Sequence, residues 1–362
     1  YLTPQSAPSI FLPPPSAMGG ANKHLMDKKG YAFDAVTPSV LLSRASVKEG
    51  LVCFPGGARY RVLVLPDTAR MTPDVVAKIA ELVEQGATVI GKPPVKSPSL
   101  VDYPACDSEV QTLAQTVWRG LDPPPKETVR PYGKGAIYWG GPWTTPEDGS
   151  LYPHYEQTEA VLEQLNHRPD FVAARNVIRY IHRRTADQEI YFVSNRTAKP
   201  QSTECTFRVD NMTPTLWDPK TGESRVLPQF TSGPTGTSVP LQFAPHESYF
   251  VVFSSTAPKS PPIGTNFPAI TTLSTLQGPW TVSFDPDWGG PATIEFPTLI
   301  DWRDHEERGI QFYSGTAFYR TTFDRPAGAH NQNLVLDLGA VYEMARVTLN
   351  GRELGTVWSP PY

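Results

Sequence analysis

The stretch DPDWGGPATIEFPTLIDWRD, residues 285–304, sets Asp285, Asp287, Glu295, Asp301 and Asp304 around two tryptophans. Two carboxylates that flank a sugar can cleave its glycosidic bond, one protonating the leaving oxygen while the other activates water. An indole or phenol ring stacks on the C–H face of a pyranose, which makes Trp288, Trp302 and nearby Tyr313 candidates for carbohydrate contact. Carboxylates a few positions apart in a loop have no fixed geometry, however. The stronger reading is a solvated acidic loop with two tryptophans packed at a sheet rim.

Other chemistry-bearing residues are sparse. His182-Arg183-Arg184 falls on a strand of an expected hairpin, where a buried or paired structural role outweighs catalysis. His246-Glu247 lacks the second histidine of a zinc-protease helix, so no metal follows from it. Gly133-Lys134-Gly135 and Gly140-Gly141 are too short for a phosphate-binding loop. Cys53 is followed by Pro55, Gly56 and Gly57 where a nucleophile elbow would begin a helix, and no serine sits in a GxSxG setting. No catalytic constellation stands out, and no metal ligand set is assigned.

Composition narrows the class. A formal net charge of −4 over 362 residues gives no basic footprint for nucleic acid, and no apolar run approaches a membrane span. Cys53, Cys106 and Cys205 lie far apart, which argues against a zinc motif or a disulfide framework. The 39 prolines favour loops and β-rich modules over long helices. Two sequons, at Asn195 and Asn211, permit a secretory route without requiring one.

The elements that would position these residues fall into blocks. Residues 1–153 read as a partial parallel α/β domain of flavodoxin or amidotransferase type. RYRVLVLPD (59–67) is expected as one buried strand, followed by a helix that starts at Thr72-Pro73 and closes at Gly86, then a strand at ATVIG. A helix from Asp107 to Trp118 and a strand at GAIYWG complete the visible part, while the first 58 residues show no clear periodicity. Residues 154–257 open with a helix and change to period-two alternation, a small antiparallel β module. Residues 258–266 read as a Ser/Pro/Gly linker. Residues 267–362 carry six short alternating segments, expected as an incomplete galactose-binding-like jelly-roll sandwich that ends on an Asn350-Gly351 hairpin.

Several long segments, in order, resemble the later part of glycoside hydrolase family 106, the α-L-rhamnosidases. They are YRVLVLPD, GATVIG with KSPSL, IHRRTADQEIYFVSNR, LWDPKTGE, GPWTVSFDPDWGGP, DWRDHEERGIQFYSGTAFYRTTF and LGAVYEMARVTLNGRELGTVWSPPY. The last segments are also similar to the sugar-binding sandwich of family 2 glycosidases, but the HRR and LWDPKTGE segments argue against that family. The resemblance implies a parent enzyme that hydrolyses terminal α-L-rhamnosyl linkages in plant glycans or glycosides. Its catalytic glutamates, and a calcium ion that helps to bind the sugar, belong to a (β/α)8-type barrel whose motifs match no position here. The resemblance therefore implies an internal, non-catalytic segment of a secreted or periplasmic enzyme, with the barrel of the same polypeptide and a rhamnose-containing glycan as partners. The alternative is a free-standing carbohydrate-binding or scaffolding protein.

Overall fold

The computed structural model describes residues 1–3, 5, 30–143, 151–174, 177–255, 263–327 and 334–362. The architecture is mixed α/β, with several antiparallel sheets and few helices. The chain divides into two compact units, Tyr1–Asn266 and Phe267–Tyr362. Among the described residues no helix is long and apolar enough to cross a membrane.

The larger unit begins with a short helix, Pro38–Arg44, and a small antiparallel sheet of β1 (Ser46–Lys48), β2 (Leu51–Cys53) and β3 (Arg59–Tyr60). Neither was legible in the aperiodic first 58 residues, because strands of two or three residues are too short to display a period. The expected single strand at 59–67 is two. The chain bends at Arg61, so that Tyr60 pairs with Val52 in the small sheet while β4 (Val62–Val64) enters a second one.

In that second sheet β4 and β5 (Thr88–Ile90) run parallel, and β5 is parallel to β7 (Gly135–Trp139). An unanticipated edge strand, β6 (Thr128–Tyr132), pairs antiparallel with β7. The helix Pro73–Gln85 starts and stops where its sequence directs. Pro73 fills the first turn, where a missing N–H costs nothing, and Gly86 ends the helix at φ +126°. Val75, Val76, Ile79, Leu82 and Val83 make its inner stripe and are fully buried. At about 1.5–3 kcal/mol for each buried side chain, that stripe anchors the helix to the sheet. The helix Tyr155–Gln164 covers another part of the same sheet, with Val161 packed among Val64, Ile90 and Tyr138.

The rest of the larger unit is two antiparallel sheets laid face to face. One contains β8 (Phe171–Ala173), β11 (Gln201–Phe207), β14 (Thr231–Gly233) and β15 (Gly236–Phe243) in the order β14-β15-β11-β8. The other contains β9 (Ile178–Arg184), β10 (Gln188–Asn195), β12 (Thr213–Trp217), β13 (Ser224–Val226) and β16 (Ser248–Ser254) in the order β13-β12-β16-β10-β9. Period-two alternation puts every second residue of β10 and β11 inside. Phe207 meets Tyr191 and Phe253 across the gap, at ring-centroid distances of 4.9 and 5.1 Å. Of the expected linker, residues 258–262 lie outside the described ones. Its last residue, Asn266, is docked rather than loose. Its amide donates to the carbonyls of Gln229 and Pro240, and its oxygen accepts from the Gln229 backbone.

The smaller unit has a three-stranded antiparallel sheet of β17 (Trp280–Ser283), β18 (Ile294–Phe296) and β19 (Phe318–Arg320), with β17 in the middle. The hairpin of β20 (Ala345–Leu349) and β21 (Arg352–Val357) forms a separate two-stranded sheet. Asn350 and Gly351 both take positive φ, 51° and 80°, as a tight primed turn requires. The long strand expected over FYSGTAFYRTTF is reduced to β19, and NLVLDL forms no strand among its described residues. Strand pairing needs a partner edge, and in these segments Phe318 and Val335 are each 72% exposed instead of facing a second sheet. No closed jelly roll forms among the described residues.

Candidate functional site

The three aromatic candidates do not share a surface. Trp288 lies in a one-turn 3-10 helix, Pro286–Trp288, and is 68% exposed. Tyr313 is buried, its ring edge-to-face with Phe284 at 4.9 Å and with Trp302 at 5.6 Å. Its hydroxyl donates to the carbonyl of Thr316 and accepts from the N–H of Asp285. Trp302 is half-buried against the same cluster, and its indole N–H donates to the Tyr319 hydroxyl. Trp288 alone presents an open ring. The neighbouring carboxylates have local duties: Asp285 accepts from Asp287 N–H and Asp301 from Arg303 N–H, each capping a short turn. The Arg303 side chain, hydrogen bonded to Asp301, holds that carboxyl at about 2.

The densest polar cluster lies in the larger unit, at the end of the paired sheets. Asp170 precedes β8, His182 lies on β9, Glu189 on β10 and Arg208 just after β11. His182 Nδ1 is 3.0 Å from Asp170 Oδ1, and Nε2 is 2.8 Å from Glu189 Oε2. The ring thus bridges the two carboxylates through its two nitrogens. Arg208 donates to Asp170 at 3.0 Å and contacts His167 Nε2 at 2.8 Å, while Arg184 pairs with Glu189 at 2.8 Å. Tyr191 stacks on His182 with centroids 3.9 Å apart and donates its hydroxyl to Asp170 at 3.1 Å.

Burial alone would raise the Asp170 pKa. The hydrogen bond and charge of His182, the charge of Arg208 and the Tyr191 hydroxyl reverse this and hold the carboxyl below its usual range. His167 is shifted to about 4, first by desolvation and then by the Arg208 and Arg61 charges. The cluster opens on a cavity of about 510 Å³ that Arg168, Asp210 and Met212 also line.

Sequence reasoning gave His182 a structural part, and its ring is indeed stacked and paired; Asp170, Glu189 and Arg208 went unremarked. One signal was present. Glu189 shares the inward face of its strand with Tyr191, Val193 and Asn195, and a charge at a core-facing position demands a partner. Asp170 left no such trace, since it joins the others only when β8 pairs with β11. Among the described residues no three His, Cys, Asp or Glu side chains converge as a metal site.

The two sequons differ in the same physical way. Asn195 is 1% exposed, its amide nitrogen donating to the carbonyls of Lys199 and Ala244 and its oxygen accepting from Thr197. Asn211 is exposed, in a turn at φ +57°. Folded protein passed through a eukaryotic secretory pathway is expected to carry glycan at Asn211 and none at Asn195. Glycopeptide mass spectrometry checks this, and a glycan on Asn195 in folded protein would contradict the burial.

By its similarity to known proteins the chain falls in a glycosidase-related family. More narrowly, it belongs to the α-L-rhamnosidase family, glycoside hydrolase family 106, whose model matches residues 18–232. The structure is similar to that of a rhamnosidase from Novosphingobium sp. PP1Y, with 29% identity and a TM-score of 0.71, covering 92% of this chain and 30% of that one. A Formosa agariphila protein that carries a β-glucuronidase name is 33% identical over 227 residues, 62% of this chain and 17% of that protein. The chain thus spans less than a third of the length of either relative.

Proposed function

We propose that this chain is the accessory, non-catalytic portion of an enzyme that hydrolyses terminal α-L-rhamnosyl linkages in plant glycans or glycosides. The catalytic barrel, and the calcium that serves it, belong to another part of the same polypeptide, which is secreted or periplasmic. The smaller unit contributes strands to a galactose-binding-like sandwich. One observation carries the reading: the carboxylates that the fold draws together, Asp170 and Glu189, are already paired, Asp170 with His182 and Arg208 and Glu189 with His182 and Arg184. Inverting and retaining glycosidases alike need an acid and a second carboxylate that face the scissile bond across an open cleft. Pairing with a guanidinium and an imidazole favours the ionised carboxylate, which makes it a poor proton donor to a leaving oxygen and a weaker base toward water.

The test is hydrolysis of an aryl α-L-rhamnoside with calcium present. The 362-residue chain alone is expected to turn over no faster than buffer, and a version extended to include the barrel is expected to hydrolyse. Turnover by the chain alone would refute the accessory role. Silence of both would favour the second reading, a free-standing carbohydrate-binding protein, for which the exposed ring of Trp288 speaks.

A further inference from the structure

We propose that a second cavity in the larger unit, walled by Asp34, Phe54, Tyr60, Arg61 and Tyr155, holds a single 6-deoxyhexosyl group of the glycan. This rests on the reading that the parent enzyme acts on rhamnosyl linkages. The cavity measures about 380 Å³, at the lower end of ligand pockets, which run from about 300 to 1,000 Å³. It lies between the small sheet, the chain leading into β4 and the helix Tyr155–Gln164.

Its wall has the two chemistries a pyranose requires. Phe54 and Tyr60, both half-buried, supply ring surface and pack edge-on at 5.9 Å, and the buried rings of Tyr31 and Tyr155 lie against each other at 6.4 Å. Polar groups supply direction. The Asp34 carboxylate accepts from the Tyr60 hydroxyl at 2.6 Å. The Arg61 guanidinium reaches the Leu165 carbonyl with one terminal nitrogen at 3.4 Å, while its buried Nε has no acceptor among the described residues.

A buried donor without a partner on a cavity wall calls for an acceptor, because nearly all such groups in folded proteins are satisfied. A sugar hydroxyl provides one, and a guanidinium and a carboxylate can grip neighbouring hydroxyls in pairs. Part of the remaining wall is apolar, with Val36, Val40 and Val52, while Arg59, Glu159 and Arg208 add charged groups elsewhere on it. A methyl group suits the valine surface, whereas the hydroxymethyl of an ordinary hexose would lose its hydrogen bonds to water there. A carboxylate in the methyl's place would likewise lose its water on that valine surface.

The experiment titrates the intact chain with methyl α-L-rhamnopyranoside, methyl α-D-glucopyranoside and methyl β-D-glucuronide, read by calorimetry and ligand-observed NMR. Saturable binding of the rhamnoside alone is expected. Arg61→Gln is expected to weaken it at least about tenfold, the usual cost of losing a hydrogen bond to a charged group. Val40→Trp, which fills the cavity without touching its polar groups, is expected to abolish binding, and Trp288→Ala to leave it unchanged. A thermal melt of each variant verifies folding. Absence of rhamnoside binding, preference for the glucoside or glucuronide, or binding that survives both cavity variants would overturn the proposal. Hydrolysis by the chain alone would sink the accessory reading and leave the cavity standing. Lack of binding does the reverse.

Discussion

Asp170→Ala is expected to destabilise the larger unit by about 3–5 kcal/mol, the usual cost of removing one partner from a buried ion pair. The side chain of Asp170 is only 8% exposed, and three groups converge on it: the His182 ring, the Arg208 guanidinium and the Tyr191 hydroxyl. Truncation leaves all three without their shared acceptor. The loss is a large share of the roughly 5–15 kcal/mol that keeps a typical protein folded. It should lower the melting midpoint by on the order of 10 °C. Asp170→Asn should cost less, since an amide oxygen can still accept from Arg208 or Tyr191 while the charge is lost. Glu189→Gln should be milder still, because Arg184 on its other side is largely exposed. Urea or thermal unfolding of the three variants tests the order. A wild-type midpoint for Asp170→Ala would show that the network contributes nothing to stability.

Acid is expected to weaken the same region in two stages. His167 takes up a proton near pH 6.5 when unfolded and only near 4 when folded. Between those values the unfolded chain binds more protons, so stability falls as the pH drops. The full shift would be worth about 1.4 kcal/mol per pH unit. His167 is partly open to solvent, which screens its neighbours' charges, and the expected loss is reduced to about 1–2 kcal/mol. Asp170 acts in a second window. Its folded pKa is depressed, so its contribution is complete above the ordinary carboxylate value near 3.8 and is lost as the pH falls below it. Denaturation midpoints at pH 7, 5.5 and 4.5 should decline steadily, and His167→Gln should flatten the decline. The assignment fails if that variant keeps the wild-type slope.

Much of the fold was legible because it is written in local patterns. The stripe Val75, Val76, Ile79, Leu82 and Val83 reports a helix face, and Pro73 and Gly86 mark its ends. The alternation in EIYFVSN reports a strand with one face inside, and Asn350-Gly351 reports a turn because its backbone geometry admits few residues. The family was legible too, since the segments that carry it are long and contiguous. The short strands ahead of β4 were not. Neither β2 nor β3 has a period, and the bend at Arg61 that parts β3 from β4 arises because each strand pairs with a different sheet.

The candidate site was the least legible part. Acidic and aromatic residues close in sequence drew attention to 285–304, yet tertiary packing buries Tyr313, half-buries Trp302 and leaves Trp288 exposed. The residues that meet in space, Asp170, His182, Glu189 and Arg208, come from four separate elements. Strand order alone brings them together, through β10 pairing with β9 and β8 with β11. What the sequence by itself determined is therefore the local conformation, the family and the residue types available, because these depend on neighbours a few positions away. Which carboxylates are paired, which ring stays open and which guanidinium nitrogen finds no acceptor among the described residues was decided only by the tertiary structure. Desolvation and hydrogen bonding act between groups that are distant along the chain, and their sign is set when the sheets close over them.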